Sequence, residues 1–284
     1  MNLTSEQAAR IRQTIRACGQ QAKQLAAQNF EIFQKAPGDF VTSVDQTLDR
    51  ELSAFFSELF PDDGIITEEN AESRKLYQKE FSRLWCIDPL DGTKDFIEGE
   101  PEYAVLVGLL EEKQAVAGWV YAPELDLMYC GGADLGVWQV RGAGEPEACT
   151  IPKAQEQQRY RVIVGDVDFR KVGGAIAASI PEVECVRSPG SFGLKVMNVV
   201  LGKAELYLYL NRRVKLWDTV APIALALEAG MVCCDLDGKP LQFTSDVVDL
   251  ESLAHQQAIV IGWESYVEKV LPQLRIALDP QILM

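Results

Sequence analysis

The sequence predicts a mixed α and β fold in two parts, residues 1–150 and 151–284, and three observations support this prediction. The N-terminal part opens with two amphipathic helical patterns and continues with strand-like apolar runs, two of which have hairpin spacing. The C-terminal part alternates strand and helix, which is typical of a sheet covered by helices on both faces. Between them, residues 141–158 contain two glycines and two prolines and mark the expected boundary.

Two capping patterns place the N-terminal helices. Residues 4–7 form an expected capping box, after which apolar side chains recur every three or four positions as far as Leu25. Residues 37–39, Pro-Gly-Asp, end that element. A second capping box is expected at residues 43–46, before a helix that Pro61 closes.

The remaining elements follow from apolar runs and turn residues. Further strands are expected at residues 40–42, 65–67, 84–87, 103–110, 115–121, 127–130, 137–140, 161–164, 183–186, 204–209, 231–234 and 258–261. Further helices are expected at residues 168–180, 194–201, 218–229 and 264–277. Because proline fits only the first turn of a helix, Pro222 sets the expected start of its helix near Asp218.

Composition and charge exclude several classes of function. Apolar residues make up 48% of the 284-residue chain and charged residues 24%, which are ordinary globular values. No apolar run approaches the roughly 18 residues that a membrane span requires. The net charge is −15, from 27 basic and 42 acidic residues, so neither a nucleic-acid polymer nor an anionic membrane is an expected partner.

The cysteine and histidine content indicates the expected compartment and limits the kinds of metal site. The seven cysteines are scattered, and several lie in apolar runs, which predicts reduced thiols in the core. The first residues show no basic and apolar leader, so we expect a cytoplasmic protein. The single histidine, His255, excludes a histidine-rich zinc site, and its polar neighbours predict a position on the surface.

Residues 84–96 carry the strongest chemical signal. The apolar run 84–87 is expected to end at Asp88, because Pro89 cannot donate to a strand ladder and favours an extended residue before it. Asp88 and Asp91 can then converge on one point, and Gly92 allows the backbone to approach a ligand closely. An acidic surface turn is the alternative interpretation.

The same turn offers further ligand groups. The Leu90 carbonyl is free to bind a hard cation together with the two aspartates, and backbone N–H groups near Thr93 can meet an anion. Glu68 follows the strand 65–67, so two neighbouring strand ends can share one cation, although solvation at the surface would also explain it. Asp45 and Asp218 fall near expected helix starts, where N-capping alone would account for each.

Two segments resemble the signatures of a known superfamily. Residues 88–93, D-P-L-D-G-T, and residues 217–221, W-D-T-V-A, followed by E-A-G, resemble the two signatures of the inositol monophosphatase superfamily. Its members are lithium-sensitive, magnesium-dependent phosphomonoesterases. The resemblance covers nearly the whole chain, with Thr67 and Asn70 departing from the G-E-E-S segment. It implies an α+β fold, a layered αβαβα sandwich of the inositol monophosphatase/fructose-1,6-bisphosphatase type.

The resemblance also implies a role for individual residues. Two to three magnesium ions would be held by Glu68, Asp88, Leu90, Asp91 and Asp218. Catalysis is assigned to Asp45, Thr93 and Glu68, of which the first two would orient the attacking water. Substrate binding is assigned to Gly92, Thr93, Ser191, Lys195 and Arg212. For Lys195 and Arg212, ordinary surface solvation is the alternative.

Details near the first signature favour one branch of the superfamily. Residues 92–97, G-T-K-D-F-I, resemble the bacterial 3'(2'),5'-bisphosphate nucleotidases, as do residues 118–123 and, less closely, 190–195. The favoured substrate is therefore 3'(2')-phosphoadenosine 5'-phosphate, whose hydrolysis belongs to sulfur assimilation. Leu208 and Tyr209 depart from this branch, which usually has proline and arginine there, and Arg212 or Arg213 is the candidate replacement for that arginine.

Other functions stay open at this level. An inositol monophosphatase or a broad sugar-phosphate phosphatase is the first alternative, and a non-catalytic sensor of phosphonucleotides is the second. Haloacid-dehalogenase phosphatases are excluded, because their two aspartates are two positions apart. Here Asp88 and Asp91 are three positions apart, and Pro89 lies between them. The expected partner is a small phosphate ester, and the expected assembly is a monomer or homodimer.

Overall fold

The computed structural model describes residues 3–79, 81–156 and 158–278. Within these ranges the α-helices are α1 (Ser5–Ala26), α2 (Ser43–Leu59), α3 (Thr93–Glu98), α4 (Asp166–Ser179), α5 (Phe192–Val200), α6 (Leu216–Glu228) and α7 (Glu264–Ala277). The strands are β1 (Ile32–Ala36), β2 (Asp39–Thr42), β3 (Gly64–Thr67), β4 (Arg83–Asp91), β5 (Ala104–Glu111), β6 (Gln114–Ala122), β7 (Leu127–Gly132), β8 (Gly136–Arg141), β9 (Glu147–Ala148), β10 (Tyr160–Gly165), β11 (Val183–Ser188), β12 (Leu206–Tyr209), β13 (Val232–Cys234) and β14 (Ile259–Gly262).

Two large sheets and three helical layers alternate. The first sheet has seven strands in the order β3-β4-β5-β6-β7-β8-β9, and the second has five in the order β11-β10-β12-β14-β13. Helices α1 and α2 cover the outer face of the first sheet, α5 and α6 pack between the sheets, and α4 and α7 cover the outer face of the second. The α+β class and the layered αβαβα arrangement are therefore confirmed.

Each sheet comes from one part of the chain. The seven-stranded sheet uses residues 64–148 and the five-stranded sheet uses residues 160–262. A continuous set of buried side chains from α5, α6 and both sheets fills the middle layer. The division at residues 150 and 151 remains a prediction.

The first helix forms as its pattern predicts. The Thr4 side chain accepts a hydrogen bond from the Gln7 N–H, and the Gln7 side chain in turn accepts one from the Thr4 N–H, which completes the capping box. Four apolar side chains at helical spacing are buried against the first sheet: Ile11, Ile15, Cys18 and Ala22. Burial of this stripe is what holds the helix on the sheet.

The start of α2 differs from its prediction by one residue. Thr42, and not Ser43, is the N-cap, and its hydroxyl accepts hydrogen bonds from the N–H groups of Val44 and Asp45. Ahead of it, β1 and β2 form a hairpin that is absent from the sequence prediction, with Pro37 and Gly38 between the strands. Pro37 and Gly38 are a hairpin signal as well as the end of the preceding element.

Two further expectations are wrong. Helix α6 begins at Leu216, so Pro222 lies beyond its first turn, where almost complete burial of the helix outweighs the local cost of proline. His255 is fully buried and not on the surface. Its Nε2 lies 2.8 Å from the Thr219 hydroxyl, and its ring meets Phe243 edge-on, so packing overrides the polar sequence around it.

The cysteines lie mostly in the core. All seven cysteines are free, and five of them are buried, which agrees with the expected core thiols. Among the described helices, none combines the length and apolar character needed to cross a lipid bilayer.

Candidate active site

Two parallel strands of the first sheet end side by side and carry carboxylates. β3 pairs with β4 in the register Thr67 to Ile87, and the Glu68 N–H extends the ladder to the Ile87 carbonyl at 3.1 Å. Glu68 therefore lies beside Asp88, the next residue of β4. The expectation that these two strand ends meet is confirmed.

β4 continues past Asp88 to Asp91, contrary to the expectation from Pro89. Its pairing with β5 shifts between Asp88, opposite Leu106, and Asp91, opposite Ala104, so β4 carries one extra residue there. The proline, which has no N–H to donate, falls in this bulge. Residues three apart face opposite sides of a regular strand, and one bulged residue brings them to the same side.

Helix α6 adds a third carboxylate from a distant part of the chain. Asp218 lies in its first turn, where Oδ2 accepts a hydrogen bond from the Lys215 N–H at 2.6 Å. Carboxylate oxygens of Glu68, Asp88 and Asp218 lie within 4.8 Å of one another. These three residues are called the carboxylate cluster below.

The electrostatics of the carboxylate cluster fit a divalent cation. Burial raises the pKa of Asp88 well above its ordinary value, and the charges of Glu68, Asp91 and Asp218 raise it further. Burial and the charges of Asp91 and Glu68 raise the pKa of Asp218 to about 8. Like charges this close together favour either a shared proton or a bound cation.

Asp91 is held by the start of helix α5. Its Oδ2 accepts hydrogen bonds from the Ser191 hydroxyl at 2.5 Å and from the Gly193 N–H at 2.9 Å. Burial raises the pKa of Asp91, and these two hydrogen bonds oppose that rise. Ser191, assigned to the substrate by resemblance, is thus a buried N-cap whose hydroxyl already bonds to Asp91.

Lys195 is buried and does not have the solvated position of an ordinary helix lysine. Only 7% of the residue is exposed, and Nζ donates a hydrogen bond to the Gly190 carbonyl. Burial lowers the pKa of Lys195, although the charges of Asp91, Asp95 and Asp166 oppose that change. Its neighbourhood is therefore acidic.

Asp45 and Thr93 meet in one hydrogen bond. Thr93 Oγ1 lies 2.9 Å from Asp45 Oδ1 and 3.0 Å from the Leu90 carbonyl oxygen. Asp45 Oδ2 accepts hydrogen bonds from the N–H and the hydroxyl of Thr42. One oxygen of Asp45 therefore completes the capping box while the other contacts Thr93. Burial raises the pKa of Asp45, against the effect of these hydrogen bonds.

The remaining assigned residues lie in turns. Gly92 precedes α3 with a φ of 98°, and a Cβ there would lie 2.9 Å from the Glu102 carbonyl oxygen, so this position favours glycine. Arg212 and Arg213 are exposed in the turn between β12 and α6, and Arg212 has a φ of 56°. The substrate-binding roles remain predictions for Gly92, Thr93, Ser191, Lys195 and Arg212.

Two cations beside the carboxylate cluster are missing from the sequence prediction. Lys35, in β1, places Nζ 2.9 Å from Glu68 Oε1 and 2.7 Å from Glu69 Oε1. Burial alone would lower the pKa of Lys35, but the two glutamates outweigh it and raise the pKa. Arg74 donates to the Glu68 carbonyl at 3.3 Å and lies over the Trp217 ring, 5.2 Å from its centroid. Lys35 is absent from the prediction because the β1–β2 hairpin is absent from it, and no sequence signal indicates Arg74.

Comparisons with known proteins identify the family to which the chain belongs. The profile of the inositol monophosphatase family matches residues 4–268. An inositol-1-monophosphatase of Mesorhizobium japonicum is 29% identical over 221 residues, which are 74% of this chain and 77% of that protein. The 3'(2'),5'-bisphosphate nucleotidase CysQ of Escherichia coli K12 is also 29% identical, over 227 residues that are 75% of this chain and 83% of CysQ.

Solved structures share the fold. The extragenic suppressor protein SuhB of Bartonella henselae superposes with a TM-score of 0.76 at 20% identity, over 96% of this chain and 99% of SuhB. An IMPase of Thermotoga maritima gives a TM-score of 0.76 at 20% identity, over 95% and 96% of the two chains. The sequence profile spans nearly the whole chain, and the protein therefore belongs to the inositol monophosphatase family, a family of metal-dependent phosphatases.

Proposed function

We propose that the protein is a magnesium-dependent phosphomonoesterase that hydrolyses 3'(2')-phosphoadenosine 5'-phosphate to AMP and phosphate. The observation that carries this proposal is the convergence of three carboxylates from β3, β4 and α6 within 4.8 Å. Buried carboxylates that share a proton are a poor arrangement for stability and a good one for binding magnesium. The proposed assembly is a monomer or homodimer, and the proposed setting is the cytoplasm.

In the proposed reaction, the carboxylate cluster binds magnesium, and Thr93 and Asp45 act on the attacking water. Magnesium bound at the carboxylate cluster would neutralise the phosphate dianion, acidify a water molecule and stabilise the leaving oxygen. Thr93 gives its hydroxyl proton to a hydrogen bond with Asp45, so Thr93 Oγ1 is able to accept a hydrogen bond from the attacking water. As the water attacks, it gives a proton to Thr93 Oγ1 while the Thr93 hydroxyl proton passes to Asp45, a role that suits a carboxylate whose pKa is raised by burial.

The remaining ligand and substrate roles extend this scheme. Asp91 and the Leu90 carbonyl complete the proposed set of magnesium ligands. The Gly92 and Thr93 N–H groups bind the phosphate that is cleaved, and Arg212 binds the second phosphate of the nucleotide. The Ser191 hydroxyl donates to the proposed metal ligand Asp91, and the Lys195 ammonium donates to the Gly190 carbonyl.

An inositol phosphate or a sugar phosphate is the second candidate substrate. The curated inositol monophosphatase and nucleotidase relatives are both 29% identical to this chain, so overall identity does not separate the two. Residues 92–97 favour the nucleotide, as the nucleotidase branch shares them. Tyr209 favours the alternative, since it occupies the position where that branch carries arginine, and its half-buried ring packs edge-on against Phe192 with the centroids 5.7 Å apart.

A phosphate-release panel tests the proposed function. Adenosine 3',5'-bisphosphate, inositol 1-phosphate and fructose 1,6-bisphosphate are each supplied with and without magnesium. We expect magnesium-dependent release that is fastest with the bisphosphate nucleotide. Preference for inositol 1-phosphate would overturn the substrate and leave the metal chemistry standing, and binding of the nucleotide without turnover would favour a sensor.

Two variants test the metal assignment in the same assay. Asp88→Asn should abolish release, because an amide bridges two cations poorly, and Asp218→Asn should weaken the second ion and slow the reaction. Asp237→Asn, at an exposed turn ion-paired with Arg275, is the matched control and should behave as wild type. Lithium and calcium should both inhibit, calcium because its larger, looser coordination misplaces the water.

A further inference from the structure

A cavity of about 400 Å³ lies on the outer face of the first sheet, beside the N-terminal half of α1. Its walls come from α1 on one side and from β6, β7 and β8 on the other. Pockets that bind small molecules commonly have volumes of about 300–1,000 Å³, so this cavity is large enough for one. Among the described residues that line it, none belongs to the carboxylate cluster.

Strand pairing sets the shape of the cavity. Trp119 of β6 lies opposite Cys130 of β7, and Cys130 lies opposite Trp138 of β8. Directly opposed residues project from the same face of a sheet, and neighbouring strands are about 4.8 Å apart. The small thiol side chain therefore forms a floor between two indole side chains whose strands are about 10 Å apart. This row leaves a slot that fits a flat ring.

Both indole side chains are held in place. Trp119 is 4% exposed, and its ring packs against the Trp85 ring with the centroids 5.9 Å apart. Trp138 is 38% exposed, and its Nε1 donates a hydrogen bond to the Leu135 carbonyl at 2.7 Å. The exposed Leu135 side chain adds to the apolar lining. Because the indole N–H of Trp138 already has a partner, its ring offers apolar contact without an unsatisfied donor.

Arg12 gives the apolar slot a positive charge. Among the described residues that line the cavity, Arg12 is the only charged one. It is half-buried, and within the described part of the chain it has no ion pair or hydrogen bond. Arg16, one helical turn later, is instead bound by Asp126 through hydrogen bonds of 2.8 Å and 2.6 Å. Burial raises the pKa of the Cys130 thiol and the Arg12 charge opposes that rise, so the guanidinium lies near the floor of the slot.

We propose that this cavity is a second ligand site, which binds a flat aromatic molecule that carries one carboxylate. The ring lies between Trp119 and Trp138, and the carboxylate pairs with Arg12. A single guanidinium matches a single carboxylate, and the apolar walls match a ring better than they match a sugar or a free phosphate. The inference does not depend on the proposed function, because it uses no residue of the candidate active site.

Calorimetric titration with indole-3-acetate tests the inference. The buffer contains EDTA, so that no metal ion at the carboxylate cluster binds the added carboxylate. We expect one site per chain, with a Kd between about 10 μM and 1 mM for a ligand of this size. Indole-3-acetamide has a closely similar shape without the charge and should bind about 10-fold more weakly. Inorganic phosphate, an anion without a ring, should not displace indole-3-acetate.

Four variants locate the site. Arg12→Met should weaken binding of indole-3-acetate by about 10-fold and leave indole-3-acetamide nearly unaffected. Trp138→Ala, at a partly exposed position, should weaken both ligands by about 10-fold. Arg10→Met is the matched control, because Arg10 lies on the same helix and pairs with Glu58 at 3.8 Å. Asp88→Asn should also bind indole-3-acetate as wild type does, which would separate this cavity from the candidate active site.

Three results would overturn the inference. The first is a wild-type protein that shows no saturable binding, and the second is an unchanged affinity in Arg12→Met and Trp138→Ala. The third is self-association in analytical ultracentrifugation that Trp138→Ala abolishes and that excludes indole-3-acetate, which would assign the cavity to a contact between two copies of the chain. If Trp138→Ala does not fold, Arg12→Met with the two indole ligands decides the question. Phosphate release is measured separately, so failure here leaves the proposed function standing.

Discussion

At the scale of single residues, the direction of the Thr93 hydroxyl proton determines which neighbouring oxygen is free to bind a cation. The hydroxyl has two acceptors within reach, Asp45 Oδ1 at 2.9 Å and the Leu90 carbonyl oxygen at 3.0 Å. A proton directed at Asp45 leaves the Leu90 carbonyl free to bind a cation. Because the same carboxylate also caps α2 through Thr42, the helix start fixes the direction of the whole chain of hydrogen bonds.

Removing that hydroxyl should slow catalysis without weakening metal binding. Thr93→Val keeps the shape of the side chain and should lower kcat by about 10²- to 10⁴-fold, the range expected for a positioned proton-transfer group. Asp45→Asn should fall in the same range. Thr47→Val, at a threonine of α2 whose hydroxyl donates to the Ser43 carbonyl, is the control. Steady-state kinetics at saturating magnesium measure the effect, and a near-normal kcat for Thr93→Val would contradict the assignment.

The buried histidine should make the protein sensitive to acid. Burial lowers the pKa of His255 to about 4, against about 6.5 in an unfolded chain. Since the unfolded chain takes up the proton first, stability is lost as the pH falls from about 6.5 toward 4, by about 2–3 kcal/mol near pH 4.5. His255→Gln removes this titration and retains a partner for Thr219. Urea unfolding at pH 7 and pH 4.5 should show a smaller acid-induced loss in the variant, and equal losses would refute the role of His255.

At the scale of elements, glycines in the first sheet determine where α6 lies. A Cβ on Gly118 would overlap the Ala221 carbonyl oxygen, and one on Gly108 would lie 2.5 Å from the Ala221 nitrogen, so the helix backbone rests directly on β5 and β6. At the far end of α6, Glu228 accepts hydrogen bonds from the β7–β8 turn, at 2.8 Å from the Gly136 N–H. The position of Asp218 relative to β4 therefore depends on this packing.

A single methyl group between β6 and α6 should separate the carboxylates. Gly118→Ala forces the helix away from the sheet, because the clash is with backbone and not with a flexible side chain. We expect a loss of about 1–3 kcal/mol in unfolding free energy and weaker magnesium binding, as Asp218 moves away from Asp88. Gly174→Ala, in an open position of α4, is the control and should be neutral or stabilising by up to about 1 kcal/mol. Magnesium binding as tight as wild type in Gly118→Ala would contradict this account.

Sequence patterns predict the elements whose cause is local. Amphipathic spacing and a capping box were enough for α1, and hairpin spacing was enough for β5 and β6. The start of α6 could not be predicted in this way, because burial between two sheets makes Pro222 tolerable. The burial of His255 is also set by a distant partner, Thr219, which no local pattern indicates.

Within the site, too, local features were predictable and features set by distant contacts were not. The meeting of Glu68 with Asp88 was predictable, since both follow strands and strand ends can be expected to meet. The bulge that turns Asp91 toward the same point depends on pairing with β5, which the sequence does not specify. Lys35 is absent from the prediction because its hairpin is absent. Arg74 is absent because the 3₁₀ segment that contains it, Ala71–Gln78, is short and has no clear apolar period.

At the scale of the whole molecule, the negative net charge and the carboxylate cluster both favour cation binding to the folded state. The chain carries a net charge of −15 and places three carboxylates within 4.8 Å of one another. Without a cation, the folded state bears this repulsion and the unfolded chain does not. Any cation that binds only the folded state adds its binding free energy to stability.

Magnesium should therefore raise the melting temperature, and the gain should depend on the carboxylate cluster. At a magnesium concentration about 100 times the dissociation constant, binding adds about 2.7 kcal/mol, which corresponds to roughly 5 to 10 °C for a protein of this size. Removal of magnesium with EDTA should reverse the shift.

Asp88→Asn should respond much less to magnesium than wild type. Its melting temperature without metal should equal or exceed that of metal-free wild type, because one repelling charge is gone. The amide oxygen of the new side chain can still accept a hydrogen bond from the Leu90 N–H. Sodium chloride at matched ionic strength separates this effect from general screening of the acidic surface. An equal magnesium response in wild type and Asp88→Asn would place the stabilising ion elsewhere, because a cation bound at the cluster cannot be indifferent to the loss of a charge that touches it.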